Sequence, residues 1–325
     1  MRAWQFDRYG NYKDVLHWVE RPVPTPGHDQ ALVRTAAVSL NFPDLLIIEG
    51  KYQHKAPLPA VPGVEGVGVV EAAGPASRFR VGDRVVGFAH SGGTLADCFL
   101  VDNNAAWTVP DHVSDVQAAA LSVVYGTSYF GLEHRAQLKA GETLLVLGAA
   151  GGVGTAAIQL GRLMGANVIA CAGDAAKLEV CRQQGAHHLI NYRHENLVER
   201  VREITDGRGA DVVYDPVGGE IFDQVKRCVA WGSRYVVIGF AGGSIPQLEL
   251  NRILLKNMSF LGLAWGQYLD RGSELPGKAQ QLFYELIGRG QIDPVIYKVL
   301  PFSETLEGLR LIESREVYGK VVITR

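Results

Sequence analysis

The 325-residue sequence has few cysteines and little net charge. The first argues against a disulfide-stabilised protein, and the second against a protein that binds nucleic acid or membranes through its overall charge. Its cysteines are Cys98, Cys171, Cys181 and Cys228. None of them has the CxxC spacing, and four are too few to frame a chain of this length, so we expect free thiols and a reducing compartment, the cytoplasm. Lys and Arg total 32 against 34 Asp and Glu, and the net charge of -2 gives nucleic acid and membranes little attraction.

Targeting and membrane-spanning segments are also lacking. Asp7 and Arg8 lie where a signal peptide would need its apolar core, so we expect no signal peptide. The longest charge-free run, residues 143–161, has membrane-spanning length, but the glycines between Gly148 and Gly154 would break a lipid-exposed helix. We interpret this run as a strand, a turn and a helix.

Glycine, by contrast, is abundant: 38 of 325 residues, against an average share of about 7%. The first 120 residues form short β-rich runs separated by Pro and Gly, which predicts a mostly antiparallel β domain. From about Val123, strands alternate with helices, which predicts a parallel sheet. The predicted helices of this region extend to Met164 and then cover residues 175–184, 196–205 and 219–229.

The last 60 residues are too few for a domain of their own. They contain predicted helices near residues 278–287 and 305–314 and a closing strand, and we expect them to return to the first domain. The predicted fold class is therefore α/β, with a doubly wound parallel sheet of Rossmann type at residues 123–265. This domain is inserted into a β-rich domain formed by residues 1–122 and 266–325.

The run LLVLGAAGGVGTAAIQLGRLMGA carries the most information about function, because it follows an apolar strand and opens a helix. Gly148, Gly151 and Gly154 allow a tight turn, close approach of backbone N–H groups to a pyrophosphate, and close packing of helix on strand. Ala149 replaces the first glycine of GxGxxG. We predict a dinucleotide-binding site here.

The end of the next strand bears on the choice of cofactor. Sites that prefer NADH place Asp or Glu there to bind the ribose 2′-hydroxyl, whereas this strand ends at Ala172. Lys177, one turn into the following helix, is a candidate cation for a 2′-phosphate, which favours NADPH. Alternatively, Lys177 is a solvated helix lysine and Asp174 binds a ribose hydroxyl.

The segments PGVEGVGVVEAAG, VGDRVV, GAAGGVG and YGKVVI resemble the medium-chain dehydrogenase/reductase superfamily, and the resemblance covers the whole chain. It implies that the β-rich domain is a GroES-like catalytic domain. Zinc alcohol dehydrogenases of this superfamily have a Cys ligand near position 41 and a GHE motif, where this chain has Asn41 and Gly63-Val64-Glu65. The four-cysteine zinc lobe is also missing, since residues 90–102 contain only Cys98. We therefore expect no metal site.

A zinc ion is what lowers the pKa of an alcohol enough for hydride loss at neutral pH, whereas a quinone or enone is already electrophilic. The chain is most similar to the zinc-free branch, the NADPH:quinone oxidoreductases related to zeta-crystallin. The resemblance implies reduction of a quinone by NADPH. The alternatives are a double-bond reductase acting on an enoyl or acryloyl thioester or a 2-alkenal, and a crystallin-like protein that binds NADPH without turnover.

The segment NFPDLLIIEGKYQ is similar to the active-site segment of that branch, which implies catalytic roles for Asn41, Asp44 and Tyr52. Asn41 and Tyr52 would polarise the acceptor, Asp44 would hold the loop, and Tyr52 could also contact the cofactor. Where the branch often has a second Tyr, this chain has Leu46. An Asn-x-x-Asp pattern with Pro in the first turn is also typical of a helix start, and both interpretations can hold.

The resemblance further implies a set of cofactor-binding positions, most of which follow predicted strands. They are Tyr52, Thr127, Ala150, Gly151, Gly152, Val153, Gly173, Lys177, Tyr192, Gly218, Ile238, Gly239, Phe240, Ala241, Leu263, Ala264 and Trp265. The runs RYVVIGFAGG and NMSFLGLAWG resemble the sheet-edge strands through which such proteins pair, so we expect a homodimer. The same apolar runs could instead be internal.

Overall fold

The computed structural model describes residues 1–89 and 93–325, so the first three residues of the segment 90–102 lie outside the described residues. The chain divides into two compact units. The first contains Met1–Val123 and Gly266–Arg325, and the second contains Val124–Trp265. In the described ranges, no helix is both long enough and apolar enough to cross a membrane.

The strands belong to three sheets. In chain order they are β1 (Arg2–Phe6), β2 (Leu16–Glu20), β3 (Gln30–Leu40), β4 (Glu65–Ala73), β5 (Arg84–Phe88), β6 (Cys98–Asp102), β7 (Ala106–Thr108), β8 (Thr143–Val146), β9 (Asn167–Ala172), β10 (His188–Asn191), β11 (Ala210–Asp215), β12 (Val229–Val237), β13 (Ser259–Gly262), β14 (Ile296–Pro301) and β15 (Lys320–Thr324).

The helices lie between these strands. They are α1 (Tyr12–Val15), α2 (Phe42–Ile48), α3 (Asp115–Ala119), α4 (Ser122–Tyr129), α5 (Gly152–Leu163), α6 (Ala175–Gln183), α7 (Leu197–Ile204), α8 (Ile221–Val225), α9 (Leu250–Lys256), α10 (Gly266–Asp270), α11 (Leu275–Gly288) and α12 (Thr305–Glu313). A π-helical segment covers Phe130–Arg135, and a 3-10 turn covers Phe302–Glu304. The helix predicted over residues 219–229 is shorter than expected, because Val229 is already the first residue of β12.

The first unit is built on a sheet with the order β14-β15-β3-β4-β5-β7, and β6 also pairs with β3. β3 is antiparallel to β4, β6 and β15. Val321 of β15 lies opposite Leu40 of β3, so the end of the chain closes onto the sheet of its first residues. A buried cluster that includes Phe6, Ile47 and Leu309 packs α2 and α12 on this unit.

The second unit has a six-stranded sheet with the order β10-β9-β8-β11-β12-β13, and every neighbouring pair is parallel. Numbered within the sheet, this is the 3-2-1-4-5-6 order of a Rossmann fold. The predicted α/β class, with a GroES-like first domain and a parallel Rossmann-type sheet, is confirmed. All four residues of β8 are buried, as a strand covered by helices on both faces requires.

Candidate active site

The glycine-rich turn joins β8 to α5. Gly148 has φ +54°, a conformation that favours glycine, and a Cβ on Gly154 would lie 2.5 Å from the carbonyl oxygen of Ala149. Only glycine at position 154 allows the first turn of α5 to approach the preceding backbone so closely. Gly151 is the N-cap, and the N–H groups of the first turn have no acceptor within the helix. A helix start of this kind stabilises a phosphate anion.

Two buried hydroxyls support this helix start. Ser128 Oγ donates to the carbonyl oxygen of Val153 at 2.8 Å and lies 2.9 Å from Tyr214 Oη. Burial raises the pKa of Tyr214, so its hydroxyl stays protonated. Sequence reasoning missed this pair, because neither residue belongs to a recognisable motif.

The loops after β11 and β12 lie beside the glycine turn. Asp215 Oδ1 accepts the N–H groups of Val217 and Gly218 at 2.7 and 2.9 Å, while its Oδ2 accepts the Tyr235 hydroxyl at 2.6 Å. A Cβ on Gly148 would lie 3.0 Å from Val217 Cγ2, and a Cβ on Gly218 would lie 2.9 Å from Phe240 Cδ1. These contacts bring three of the predicted loops together at one edge of the sheet.

The end of β9 is the position that bears on cofactor choice. A Cβ on Gly173 would lie 2.8 Å from Tyr192 Oη and 3.1 Å from Arg193 Nε, so both side chains lie close to the Gly173 backbone. Asp174 caps α6 by accepting the Lys177 N–H at 2.9 Å, and its Oδ2 lies 3.8 Å from Lys177 Nζ. Arg193 was not among the predicted residues, although its place after the second βαβ unit is a signal that sequence reasoning could have used.

The remaining predicted cofactor residues follow the ends of the other parallel strands. Ile238, Gly239, Phe240 and Ala241 come directly after β12, and Leu263, Ala264 and Trp265 come directly after β13. Thr127 lies on α4, next to Gly126, where a Cβ would lie 3.4 Å from the Trp265 ring. Ala150, Gly151, Gly152 and Val153 form the turn and the start of α5. The structure thus assembles these positions of the second unit at the carboxyl ends of its strands, where open α/β sheets bind ligands.

In the first unit, Asn41 belongs to a buried polar network. Its Nδ2 donates to Ser39 O at 3.1 Å and to Glu65 Oε1 at 2.9 Å, and its Oδ1 accepts Lys320 Nζ at 2.5 Å. Lys320 Nζ also lies 3.2 Å from Glu65 Oε1. Both amide hydrogens of Asn41 are therefore engaged by the protein. Glu65 and Lys320 were not predicted, and the signal for each is a charged residue inside an apolar strand.

Asp44 fixes the start of α2. Asn41 is the residue before α2, and its N–H donates to Asp44 Oδ2 at 2.7 Å, while the Gly63 N–H donates to Asp44 Oδ1 at 3.1 Å. The helix start read from the Asn-x-x-Asp pattern is confirmed. Burial raises the pKa of Asp44 to about 7, despite the two N–H donors and the ammonium of Lys320.

Tyr52 follows α2 and is partly buried against the apolar cluster of the first unit. Its ring centroid lies 6.3 Å from that of His54. In the described ranges, no protein group accepts from or donates to its hydroxyl. Burial and the charge of Asp44 raise the pKa of Tyr52, so the hydroxyl carries its proton at neutral pH. Among the described residues, this hydroxyl is therefore a hydrogen-bond donor without an acceptor.

The donor set does not suit a metal ion. Among the described side chains, no group of three or more His, Cys, Asp and Glu residues is arranged to hold one. Asn41, which stands near the position of a Cys ligand in the zinc enzymes, instead accepts from the Lys320 ammonium, which also lies 3.2 Å from Glu65 Oε1.

Family models match both parts of the chain. The model of the alcohol dehydrogenase GroES-like domain matches residues 27–111, and that of the zinc-binding dehydrogenase family matches residues 152–282. A quinone oxidoreductase-like protein 2 homolog from Nematostella vectensis is 39% identical over 300 residues, which are 91% of this chain and 82% of that protein. The chain belongs to the zinc-free quinone oxidoreductase branch of the medium-chain dehydrogenase/reductase superfamily.

Solved structures of this superfamily are similar over the full length. The structure of Escherichia coli quinone oxidoreductase complexed with NADPH is 29% identical, covers 100% of both chains and has a TM-score of 0.92. The CurK enoyl reductase is 26% identical, covers 99% of both chains and has a TM-score of 0.88. The chain is thus a medium-chain oxidoreductase, and its glycine turn, in which Gly154 lets the first turn of α5 approach the backbone of Ala149, fits the pyrophosphate of a nicotinamide dinucleotide.

Proposed function

We propose that this protein is a zinc-independent NADPH:quinone oxidoreductase. The observation that carries the proposal is the end of β9, where no carboxylate follows the strand directly, Tyr192 and Arg193 lie against the Gly173 backbone, and Lys177 stands in the first turn of α6 with its Nζ 3.8 Å from Asp174 Oδ2. Two cations and a phenol suit the 2′-phosphate of NADPH better than the free hydroxyl of NADH. The NADPH complex of the Escherichia coli relative supports the same choice.

The residues of the second unit hold the cofactor in this proposal. The first turn of α5, from Gly151 to Val153, binds the pyrophosphate, and the loops at Gly218, Ile238–Ala241 and Leu263–Trp265 bind and orient the nicotinamide half. The bound nicotinamide supplies a hydride from its C4 atom. A quinone that gains this hydride and one proton becomes the hydroquinone, and loss of the hydride leaves NADP⁺, so atoms and electrons balance.

Residues of the first unit act on the acceptor. The Tyr52 hydroxyl, which has no protein partner in the described chain, donates to the acceptor oxygen as that oxygen gains negative charge. The proton comes from Tyr52 or from solvent. Because both hydrogens of the Asn41 amide are engaged, we propose that Asn41 and Asp44 position the segment that carries Tyr52.

We also propose a homodimer formed through the second unit. β13 is the edge strand of the six-stranded sheet, and α9 has no buried residue. Leu250, Leu254 and Leu255 of α9 are each more than 70% exposed, and an exposed apolar surface of this kind marks a docking site. Leu254→Glu should convert a dimer to a monomer in light scattering, whereas the solvated Leu163→Glu of α5 should not. A wild-type monomer would contradict this proposal.

A cytoplasmic location suits the thiols. All four cysteines are free and buried. Burial raises the pKa of Cys181 to about 12 and that of Cys228 to about 11, so neither thiol is prone to ionise or oxidise. A protein that keeps four reduced thiols suits a reducing compartment.

A second candidate is a reductase of enoyl or acryloyl thioesters, which the similarity to the CurK enoyl reductase favours. Coenzyme A needs basic groups near the acceptor. Lys256 does not meet that need, because its Nζ donates to Val229 O at the amino end of β12, whereas the cofactor residues follow the carboxyl ends.

A panel of acceptors separates these functions. Purified protein with NADPH should reduce 1,4-benzoquinone or 9,10-phenanthrenequinone faster than trans-2-hexenal or acryloyl-CoA. Turnover of acryloyl-CoA alone would replace the quinone proposal with the thioester one. Tight NADPH binding without turnover of any acceptor would favour a crystallin-like binding protein.

A further inference from the structure

A cavity of about 310 Å³ lies in the first unit, beside α11 and β7. It is lined by Arg78, Phe79, Trp107, Thr108, Gly277, Gln280, Gln281 and Tyr284. None of these residues belongs to the glycine turn or to the network of Asn41, Asp44 and Lys320. The volume is at the lower end of the range for small-molecule sites.

Two polar groups that line this cavity are buried with few partners. Gln280 is 3% exposed and Tyr284 is 8% exposed, and apart from each other neither Gln280 Nε2 nor Tyr284 Oη has a hydrogen-bond partner in the described chain. Ser122 Oγ donates to Gln280 Oε1 at 3.2 Å, which leaves the NH₂ side of the amide as the unused one. Leaving a buried donor unsatisfied costs stability, so a ligand that supplies an acceptor explains both groups.

The cavity is also lined by a cation, Arg78, which is exposed to solvent. Arg78 makes no ion pair with the described carboxylates, and no carboxylate lines the cavity. Its guanidinium carbon lies 4.9 Å from the centroid of the Phe79 ring, and its Nη2 donates to the carbonyl oxygen of Ala106, which leaves other N–H groups for a ligand. The neighbouring Arg84 is paired with Asp115, 3.1 Å away.

These donors define the ligand's polar group. One unpaired guanidinium with a neutral amide and a neutral phenol matches a monoanion with two acceptor oxygens, whereas a phosphate dianion would call for more than one cation. Phe79 and Trp107 supply aromatic surface to the same cavity, and the Trp107 indole nitrogen lies 3.3 Å from where a Cβ on Gly277 would stand. The ligand's body is therefore apolar and flat.

We propose that this cavity is a second ligand site, which binds a small aromatic carboxylate. The carboxylate bonds to the Arg78 guanidinium and accepts from Gln280 Nε2 and the Tyr284 hydroxyl, while the ring contacts Trp107 and Phe79. The site is independent of the reaction proposed above, because it shares no residue with the groups assigned to hydride transfer.

Calorimetric titration of the full-length protein, saturated with NADPH, tests the site with benzoate as the probe. Benzoate should bind with a Kd of about 1 mM, and benzyl alcohol, which has the same ring without the charge, should bind at least about tenfold more weakly. Arg78→Met should weaken benzoate binding about tenfold or more. Arg80→Met removes an exposed cation of the same loop that does not line the cavity, and it should leave the Kd unchanged.

Tyr284→Phe is a second test variant, and its expected effects on the Tm and on the Kd for benzoate differ from those of a residue with a purely structural role. Because the hydroxyl interacts only with Gln280 among the described hydrogen-bonding groups, its removal should change the Tm little, yet benzoate binding should weaken about threefold to tenfold. The proposal is overturned if benzoate does not bind at about 10 mM, if benzyl alcohol or inorganic phosphate binds as well as benzoate, or if Arg78→Met and Arg80→Met have the same Kd.

Discussion

Lys320 Nζ lies 3.2 Å from Glu65 Oε1, and both side chains are almost fully buried. The ammonium also donates to the carbonyl oxygen of Leu40 at 3.0 Å and to Asn41 Oδ1. Glu65 Oε2 in turn accepts the Val123 N–H at 2.9 Å. One buried cation thus connects β15, the end of β3, the start of α2 and the start of β4.

Replacing this cation should destabilise the protein strongly. Lys320→Met leaves the Glu65 carboxylate buried without a cation, and removing one partner of a buried pair costs about 3–5 kcal/mol. Urea denaturation should show this loss, while Lys298→Met, an exposed position on the neighbouring β14, should change the free energy of unfolding by less than about 0.5 kcal/mol. Equal stability of the two variants would mean that Glu65 is solvated or neutral.

Asp44 should make stability depend on pH. In the folded protein its pKa is raised to about 7, whereas the unfolded chain releases this proton near pH 4. The folded state therefore binds a proton that the unfolded state does not, and the stabilising contribution is complete below pH 4 and lost as the pH rises through 7. Compared with Asp44→Asn, wild-type stability should fall by roughly 1 kcal/mol per pH unit between pH 4 and 7.

Urea denaturation of both proteins at intervals from pH 4.5 to 8.5 provides the measurement. Above pH 7 the difference between them should become constant. A difference that is constant over the whole range would show that Asp44 ionises at its ordinary pKa.

The residues around Gly173 should determine the preference between cofactors. Lys177→Ala and Arg193→Ala should each raise the KM for NADPH roughly tenfold and leave the KM for NADH within twofold, because each removes a charge-assisted bond to the 2′-phosphate. Arg182→Ala, an exposed arginine of α6 that pairs with Glu179 at 2.6 Å, is the control and should change neither value. Equal loss of NADPH and NADH affinity in Lys177→Ala would assign that residue a role in α6 instead.

Tyr52→Phe should lower kcat for quinone reduction roughly tenfold or more, because it removes a donor to the oxygen that gains charge. The KM for NADPH should stay the same. Tyr297→Phe, which removes the hydroxyl of another partly buried tyrosine of the first unit, should leave kcat unchanged. If kcat and every KM are unchanged in Tyr52→Phe, the hydroxyl has no part in the reaction.

Much of the fold could be predicted because its signals are local. The glycine turn between an apolar strand and a helix predicted β8 and α5, and the alternation of strands and helices predicted the parallel sheet. Helix α9 escaped prediction because Leu250, Leu254 and Leu255 point to solvent, so no apolar stripe facing a core marked it.

Fewer features of the candidate site could be predicted from the sequence, because its supporting contacts join residues far apart in the chain. Asn41 was expected to bond to the acceptor, yet its amide bonds to Glu65, 24 residues away, and its carbonyl accepts from Lys320, 279 residues away. The bonds of Asp215 to Tyr235 and of Ser128 to Tyr214 are equally non-local. A single sequence shows which charges lie in apolar strands but not which of them meet.

The most direct test of zinc-independent quinone reduction by NADPH measures kcat/KM for NADPH oxidation with 1,4-benzoquinone before and after exhaustive treatment with EDTA, with the metal content determined in parallel. Quinone turnover should be unchanged in metal-free protein and should prefer NADPH to NADH by at least about tenfold. Activity that disappears with EDTA and returns with zinc, or that favours NADH, would contradict this proposal.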